Sequence, residues 1–329
     1  MKDDFKALVV NKTESSFTIG IKNLTLDDLS TGEVLIKVAY SSINYKDGLA
    51  SIPEGKIVRS YPFVPGIDLA GMVVSSDDPR YSAGDQVIAT SYDIGVSHFG
   101  GYSEYARIPA DWIVPLPENL SLKEAMIYGT AGLTAALSVQ RLEENGLTIE
   151  KGKVLVTGAT GGVGSIAVAI LAKRGYDVVA STGKLNEHDY LHKLGAKEVV
   201  SRDEVYNGKV KALDKQMWAG AVDPVGGESL AAILSKIHYN GSVAVSGLTG
   251  GGNVPTTVFP FILRGINLLG IDSVYCPMEV RKYLWEKMAN DFKPDVLDSI
   301  SKEISLEELP ETLPLILQGQ ARGRFIVKL

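Results

Sequence analysis

From Lys153 to Gly175 the chain reads KVLVTGATGGVGSIAVAILAKRG. A continuous apolar run leads into a turn of small residues, and an apolar helical pattern follows that stops at Lys173, Arg174 and Gly175. Ala159, Gly161 and Gly164 fall at the small positions of a G/A-x-G-x-x-G fingerprint. Small residues there allow a tight turn, close approach of a pyrophosphate to the backbone, and close packing of helix on strand. The helix that follows offers unpaired N–H groups and the positive end of its dipole, so Thr160, Gly161, Gly162 and Val163 are the expected phosphate contacts. Such a turn serves dinucleotide binding. A glycine triplet by itself is often an ordinary turn, and the strand, helix and further strand signals around this one make it specific.

The second strand-like run decides which dinucleotide. NAD sites carry Asp or Glu about 20 residues beyond the fingerprint, where it binds the ribose 2′-hydroxyl. Here the run ends in Ser181, Thr182, Gly183 and Lys184, with no carboxylate. Hydroxyls and a cation suit a 2′-phosphate, and the missing acid removes a like-charge repulsion. Arg202, just past the third run, is a second cation for the same phosphate, because neighbouring parallel strands bring their carboxyl ends together. The expected cofactor is NADPH, with Thr182, Gly183, Lys184 and Arg202 at the phosphate. The plainer reading is that Lys184 and Arg202 are solvated loop cations.

These residues need a frame. Lys153–Gly158, Asp177–Thr182, Lys197–Ser201, Ala219–Asp223, Ser242–Gly247 and Asn267–Asp272 are near-continuous apolar runs with helical patterns between several of them. That alternation predicts an α/β domain with a doubly wound parallel sheet, covered on both faces. Ligands gather beyond the carboxyl ends of such strands, so Gly247, Leu248, Ile271 and Ser273 join the expected cofactor contacts. Before this domain, Lys6 to Ile113 carries short β-rich runs such as VLIKVAY and DQVIAT, separated by Gly, Pro and Asp turns. Ser121 with Glu124 forms a capping box that opens a helix through Met126 and Tyr128. The expected division is a β-rich domain over 1–120, a dinucleotide-binding domain over 121–291, and a return to the first domain over 292–329, where GRFIVKL reads as a strand.

Composition closes off other classes. With 329 residues, 45% hydrophobic and 22% charged, the chain reads as a soluble globular protein of two domains. A net charge of −6 argues against partners that are nucleic acids or anionic membranes. The start has no long apolar leader and no run approaches the roughly 18 apolar residues of a membrane span, so a cytoplasmic location is expected. One cysteine, Cys276, supplies neither a disulfide nor a thiolate cage. Four scattered histidines, His98, His188, His192 and His238, show no zinc spacing, and no metal site is expected.

SSINYKDGLA (41–50), VPGIDLAG (64–71), GTAGLTA (129–135), VTGATGGVGS, DPVGG (223–227) and FPFILRGINLLGIDS (259–273) together resemble the medium-chain dehydrogenase/reductase superfamily over essentially the whole chain. Within it the resemblance is to the zinc-free acrylyl-CoA reductase and quinone oxidoreductase branch. The resemblance implies a GroES-like β-rich catalytic domain, a Rossmann NADP-binding domain and a homodimer. Where zinc alcohol dehydrogenases of the superfamily place a cysteine ligand, this chain has Asn44-Tyr45-Lys46-Asp47, and where they have Gly-His-Glu it has Gly66-Ile67-Asp68. Without a Lewis acid, the chemistry moves to substrates that need no metal to polarise them. The implied reaction is NADPH-dependent reduction of an activated C=C bond, in an enoyl-CoA thioester such as acrylyl-CoA or in a quinone, enal or enone.

Such a reaction needs a donor at the developing enolate oxygen and a proton source for the α-carbon. Tyr45 and Asn44 are the candidates. The resemblance also places the Tyr45 position against the cofactor, and an aromatic packing shelf is its alternative role. Thr130, in GTAG, resembles a position on the nicotinamide side, with helix capping as its alternative. Asp47 and Asp68 are expected to orient Lys46 or other turn groups. Family members place an amide before a Gly-Arg pair, and Gln318 and Gln320 lie close to Gly323-Arg324. Lys46, Lys56, Arg59 and Arg264 are available cations for a CoA substrate. A reading of another class, a non-catalytic NADPH-sensing or RNA-binding protein, is kept because fold does not prove chemistry.

Overall fold

The computed structural model describes residues 4–329. Contacts divide the chain into two units. The first takes the chain up to Thr130 together with Val274–Ala289 and Asp298–Leu329, and the second takes Ala131–Ser273 and Asn290–Leu297. These limits differ from divisions at 120 and 291. The helical stretch opened by the Ser121–Glu124 box has its first two turns among first-unit contacts, and Gly129 (φ 50°, ψ −153°) breaks the helix before Thr130. The box itself forms: Ser121 N donates to Glu124 Oε2 at 2.9 Å and Glu124 N to Ser121 Oγ at 3.1 Å.

The second unit is the doubly wound fold that its apolar runs predict. Its sheet strands, labelled here in chain order, are β1 (Val154–Val156), β2 (Val178–Thr182), β3 (Glu198–Ser201), β4 (Trp218–Asp223), β5 (Ile237–Val245) and β6 (Asn267–Gly270). All pairs are parallel, in the order β3-β2-β1-β4-β5-β6. Every residue of β1, β2 and β4 is buried, which is why these central strands run apolar without alternation up to the polar residues Ser181, Thr182 and Asp223 at their carboxyl ends. The helix Gly162–Lys173 buries eight consecutive residues from Gly164 to Leu171. A helix so covered packs on the sheet along most of its surface, and each large apolar side chain it buries contributes roughly 1.5–3 kcal/mol. The strand order reverses beside β1, so the turn after β1 lies at the switch point where open sheets bind ligands.

The first unit holds a seven-stranded sheet whose main path runs Ser301–Ser305, Arg324–Lys328, Val34–Ser42, Asp68–Ser76, Gln86–Thr90, Ile113–Pro115, with Tyr105–Ile108 also paired to Val34–Ser42. Phe5–Lys12 and Phe17–Leu24 make a separate antiparallel hairpin. GRFIVKL supplies a strand, Arg324–Lys328, antiparallel to Val34–Ser42 with Ile326 opposite Ser42. That register sets Arg324 near the end of Val34–Ser42, where the chain turns into the short helix Tyr45–Ala50. Among the described residues, no helix is long and apolar enough to cross a membrane.

Candidate functional site

In the second unit the turn after β1 is built around Gly164. A Cβ there would meet the Gly158 carbonyl oxygen at 2.3 Å and Ala159 Cα at 2.8 Å, so only glycine lets the helix start this close to the strand. Gly161 is the N-cap of the helix Gly162–Lys173 and its carbonyl accepts from Ser165 N at 2.9 Å. The amides of Gly162, Val163 and Gly164 belong to the first turn, which has no intrahelical acceptors to offer them. Thr160 is buried beside them. The neighbouring loop is tied down by Asp223 at the end of β4: its carboxylate accepts from the Thr157 hydroxyl and, at 2.8 Å, from Gly226 N. Burial pushes the Asp223 carboxyl up, against these hydrogen bonds. Gly247 follows β5, and a Cβ there would strike the Pro224 carbonyl oxygen at 2.2 Å.

At the ends of β2 and β3, Thr182 pairs with Ser201 in register. Thr182 Oγ1 accepts from Lys184 N at 3.1 Å, which turns the backbone through Gly183. Arg202 begins the short helix Arg202–Val205, capped by Ser201, whose Oγ accepts from Glu204 N at 3.3 Å. A Cβ on Gly183 would lie 2.8 Å from Arg202 Nε and 2.9 Å from Cζ, so the guanidinium packs against the Gly183 backbone. Thr182, Gly183, Lys184 and Arg202 are therefore gathered at one sheet end. Leu248 is exposed; Ile271 N bonds the Val245 carbonyl at 3.0 Å. The hydroxyl of Ser273 is engaged with that of Thr134 at 2.6 Å. Arg264, considered as a cation for CoA, instead donates to the Ser235 and Asp214 carbonyls at 2.8 and 2.7 Å, which commits its guanidinium to the fold.

In the first unit the residues singled out around 44 and 68 meet in a buried polar cluster. The Asp68 carboxylate accepts from Ser42 Oγ at 2.6 Å and Asn44 Nδ2 at 2.7 Å, and from both the backbone N and the hydroxyl of Thr130. Thr130 N lies 3.0 and 2.9 Å from the two carboxylate oxygens, and its hydroxyl also pairs with Ser91 Oγ at 2.8 Å. Thr130 is itself the capped residue, since Asp68 accepts both its backbone N–H and its hydroxyl at the start of the helix that follows Gly129. Gly129 is required here: a Cβ would fall 2.4 Å from Asp68 Oδ2 and 2.6 Å from Ser42 Oγ.

Asp47, buried at the third position of the helix Tyr45–Ala50, accepts from Asn44 N at 2.8 Å and Ile67 N at 2.9 Å. Neither carboxylate bonds Lys46; both hold turn and backbone groups instead. Desolvation, and then the charge of Asp68, push the Asp47 carboxyl up to about 7. Burial also lifts the Tyr102 phenol well above its usual range, so the phenol stays neutral. Asn44 is buried and its amide is used on both sides, while Tyr45, the next residue, is 48% exposed at the first position of its helix. Lys56 and Arg59 are exposed, and Gln318 and Gln320 are exposed beyond the helix Leu309–Leu317.

The residue that sequence reasoning passed over is Arg324. It is 3% exposed, and its guanidinium donates to the carbonyls of Ile127 (3.1 Å) and Ile43 (2.8 Å), to Asn44 Oδ1 (3.1 Å) and to Ser42 Oγ (2.7 Å), with Asp68 Oδ2 at 3.7 Å. Its traces in the sequence are its place in the Gly323-Arg324 pair and a cation at the head of the apolar run Phe325–Val327. Among the described residues, no three His, Cys, Asp or Glu side chains are gathered in a way that would hold a metal ion.

Comparison with known proteins places this architecture. Residues 30–118 match the alcohol dehydrogenase GroES-like domain, and residues 162–290 match the family described as zinc-binding dehydrogenase. YhfP of Bacillus subtilis, provisionally named a quinone oxidoreductase, is 65% identical over 99% of both chains. The chain belongs to the zinc-free branch of the medium-chain dehydrogenase/reductase superfamily. The crystal structure of YhfP with NAD bound superposes with a TM-score of 0.97. Acrylyl-CoA reductase AcuI of Ruegeria pomeroyi is 51% identical over 98% of both chains. The yhdH oxidoreductase of Salmonella enterica, in complex with NADP, is 44% identical over 98% of this chain and 99% of its own, with a TM-score of 0.96. The protein is an oxidoreductase with a GroES-like domain and a Rossmann domain.

Proposed function

We propose that this oxidoreductase uses NADPH to reduce an activated C=C bond, and that its substrate is an enoyl-CoA thioester such as acrylyl-CoA. The observation that carries the substrate class is full-length similarity, at 51% identity, to a protein named acrylyl-CoA reductase. The cofactor reading rests on the gathering of Thr182, Gly183, Lys184 and Arg202 where a 2′-phosphate needs hydroxyls and cations, with no carboxylate among them. Gly161, Gly162 and Val163 would hold the pyrophosphate through backbone amides, and Thr160, Gly247, Leu248, Ile271 and Ser273 would line the remainder.

When bound, NADPH supplies the hydride. The chain must supply a donor for the carbonyl oxygen that takes up charge and a proton for the α-carbon once the β-carbon has taken the hydride. Tyr45 is the proposed donor: its ring is exposed at a helix start, while Asn44, with both ends of its amide engaged, positions it. A second reading, reduction of quinones, is favoured by the 65% identity to YhfP and calls on the same hydride. A homodimer is also proposed. The strand β6 is a sheet edge, and Leu268 on it is exposed with Phe259, Ile262 and Leu263 of the preceding helix, so a second copy could cover edge and apolar face together. Light scattering tests that.

A panel of acrylyl-CoA, crotonyl-CoA, simple quinones and acrolein, each with NADPH and NADH, tests the function. The thioesters are expected to have the highest kcat/KM, with NADPH preferred. Quinones ahead by orders of magnitude would replace the thioester reading, and tight NADPH binding without turnover of any substrate would favour a sensor. Tyr45→Phe is expected to lower kcat; a near-normal rate removes the phenol as donor.

A further inference from the structure

We propose that Asp68 and Arg324 are positioning residues, a buried clamp that fixes the start of the Tyr45 helix and the start of the Thr130 helix as one piece. The proposal rests on the reading of Tyr45 as the group that meets substrate. Asp68 reaches both starts: one carboxylate oxygen takes the Asn44 side-chain amide, and the two together take Thr130 N. Arg324 closes the ring from the far side, through the Ile43 carbonyl and Asn44 Oδ1 at one start and the Ile127 carbonyl at the approach to the other.

The Asn44 amide is thereby fixed in both senses. Its oxygen faces a cation and its nitrogen an anion, so flipping the amide would oppose like partners at both ends. Tyr45 leaves the chain one residue beyond this fixed point. Gly129 permits the arrangement, since any side chain at 129 would fill the space the carboxylate occupies. A core held by one guanidinium serving four oxygens of residues 42–44 and 127 has no equivalent with lysine, whose ammonium is a single point of donation.

The test uses the full chain carrying Asp68→Asn, Arg324→Lys, Tyr45→Phe, or Tyr45→Phe with Asp68→Asn. In the protein without ligand, hydrogen exchange should show protection lost together at the amides of Asp47 and Gly48, which donate to the Asn44 carbonyl, and at Thr130. With NADPH and the best substrate of the panel, Asp68→Asn and Arg324→Lys should each lower kcat by about 100-fold, the scale set by misplacing a reacting group by an ångström, with KM little changed. The double variant should be no slower than the slower single variant to within about twofold, because both changes act on one group. Effects that multiply, kcat retained in both clamp variants, or loosening at only one of the two segments would overturn the clamp. Should Asp68→Asn not fold, Arg324→Lys carries the same criteria, paired with Tyr45→Phe. If Tyr45→Phe turns over at the wild-type rate, the Tyr45 reading falls, and exchange alone judges the clamp: joint loosening supports it, loosening at one segment overturns it.

Discussion

The glycine turn after β1 and the buried cluster solve the same problem, holding polar groups in a fixed direction, with different materials. After β1, one continuous segment does the work with backbone amides, and the side chains matter chiefly by being small. Around Asp68 the work is done by side chains from four separated segments, at 42–47, 68, 130 and 324, in a space that excludes water. A backbone device tolerates any change that keeps the turn, whereas a side-chain device fails when one partner leaves a buried charge unmatched. The contrast can be broken or sharpened by four substitutions.

Gly129→Ala should have the largest effect. The new Cβ meets the Asp68 carboxylate at a φ that disfavours any side chain, and stability is expected to fall by about 3–5 kcal/mol in urea unfolding. Gly164→Ala strains the backbone turn, where the helix can shift outward: a loss of about 1–3 kcal/mol is expected, with weaker dinucleotide binding by calorimetry. Equal losses at the two glycines would erase the distinction drawn between the regions. Lys184→Glu should raise the KM for NADPH by at least about tenfold while leaving that for NADH nearly unchanged, since one charge-assisted bond is exchanged for a repulsion. An unchanged preference removes Lys184 from the phosphate.

Asp47→Asn should have the smallest effect near pH 4, where the wild-type side chain is neutral like the amide, and a distinctive one as pH rises toward 7. The Asp47 carboxyl is lifted from 3.8 to about 7, so the folded chain holds a proton that the unfolded chain has already released. Its contribution to stability is complete below about pH 4 and declines as pH rises to about 7, beyond which the curve is flat. Denaturant titrations from pH 4 to 7 should show this decline in the wild type and its absence in the variant. Parallel curves would mean that Asp47 is already ionised in the fold.

The same contrast explains what could be read without a structure. The apolar runs of β1, β2 and β4, the Ser121–Glu124 box and the strand Arg324–Lys328 are local patterns, and each formed as its residues predict. The gathering of Arg202 onto Gly183 follows from the adjacency of parallel strands, a rule of topology. Ser301–Ser305 gave no such signal, because this edge strand, SKEIS, is polar at every position but the buried Ile304. The hub role of Asp68 was equally hidden. Its partners are distant in sequence, and nothing in Gly66-Ile67-Asp68 tells whether the acid meets Lys46 or a guanidinium from the last strand. Arg264 shows the reverse case, a cation that looks available and is spent on two carbonyls.

Chain order gives the cluster a timetable. Arg324 lies 197 residues after Ile127, the nearest in sequence of its acceptors, so a ribosome elongating at about 5–20 residues per second finishes the other members roughly 10–40 s before their guanidinium emerges. Through that interval the nascent first unit carries two carboxylates destined for a dry interior and no cation to accompany them. Its last step of maturation must wait until the whole Rossmann segment has been synthesised.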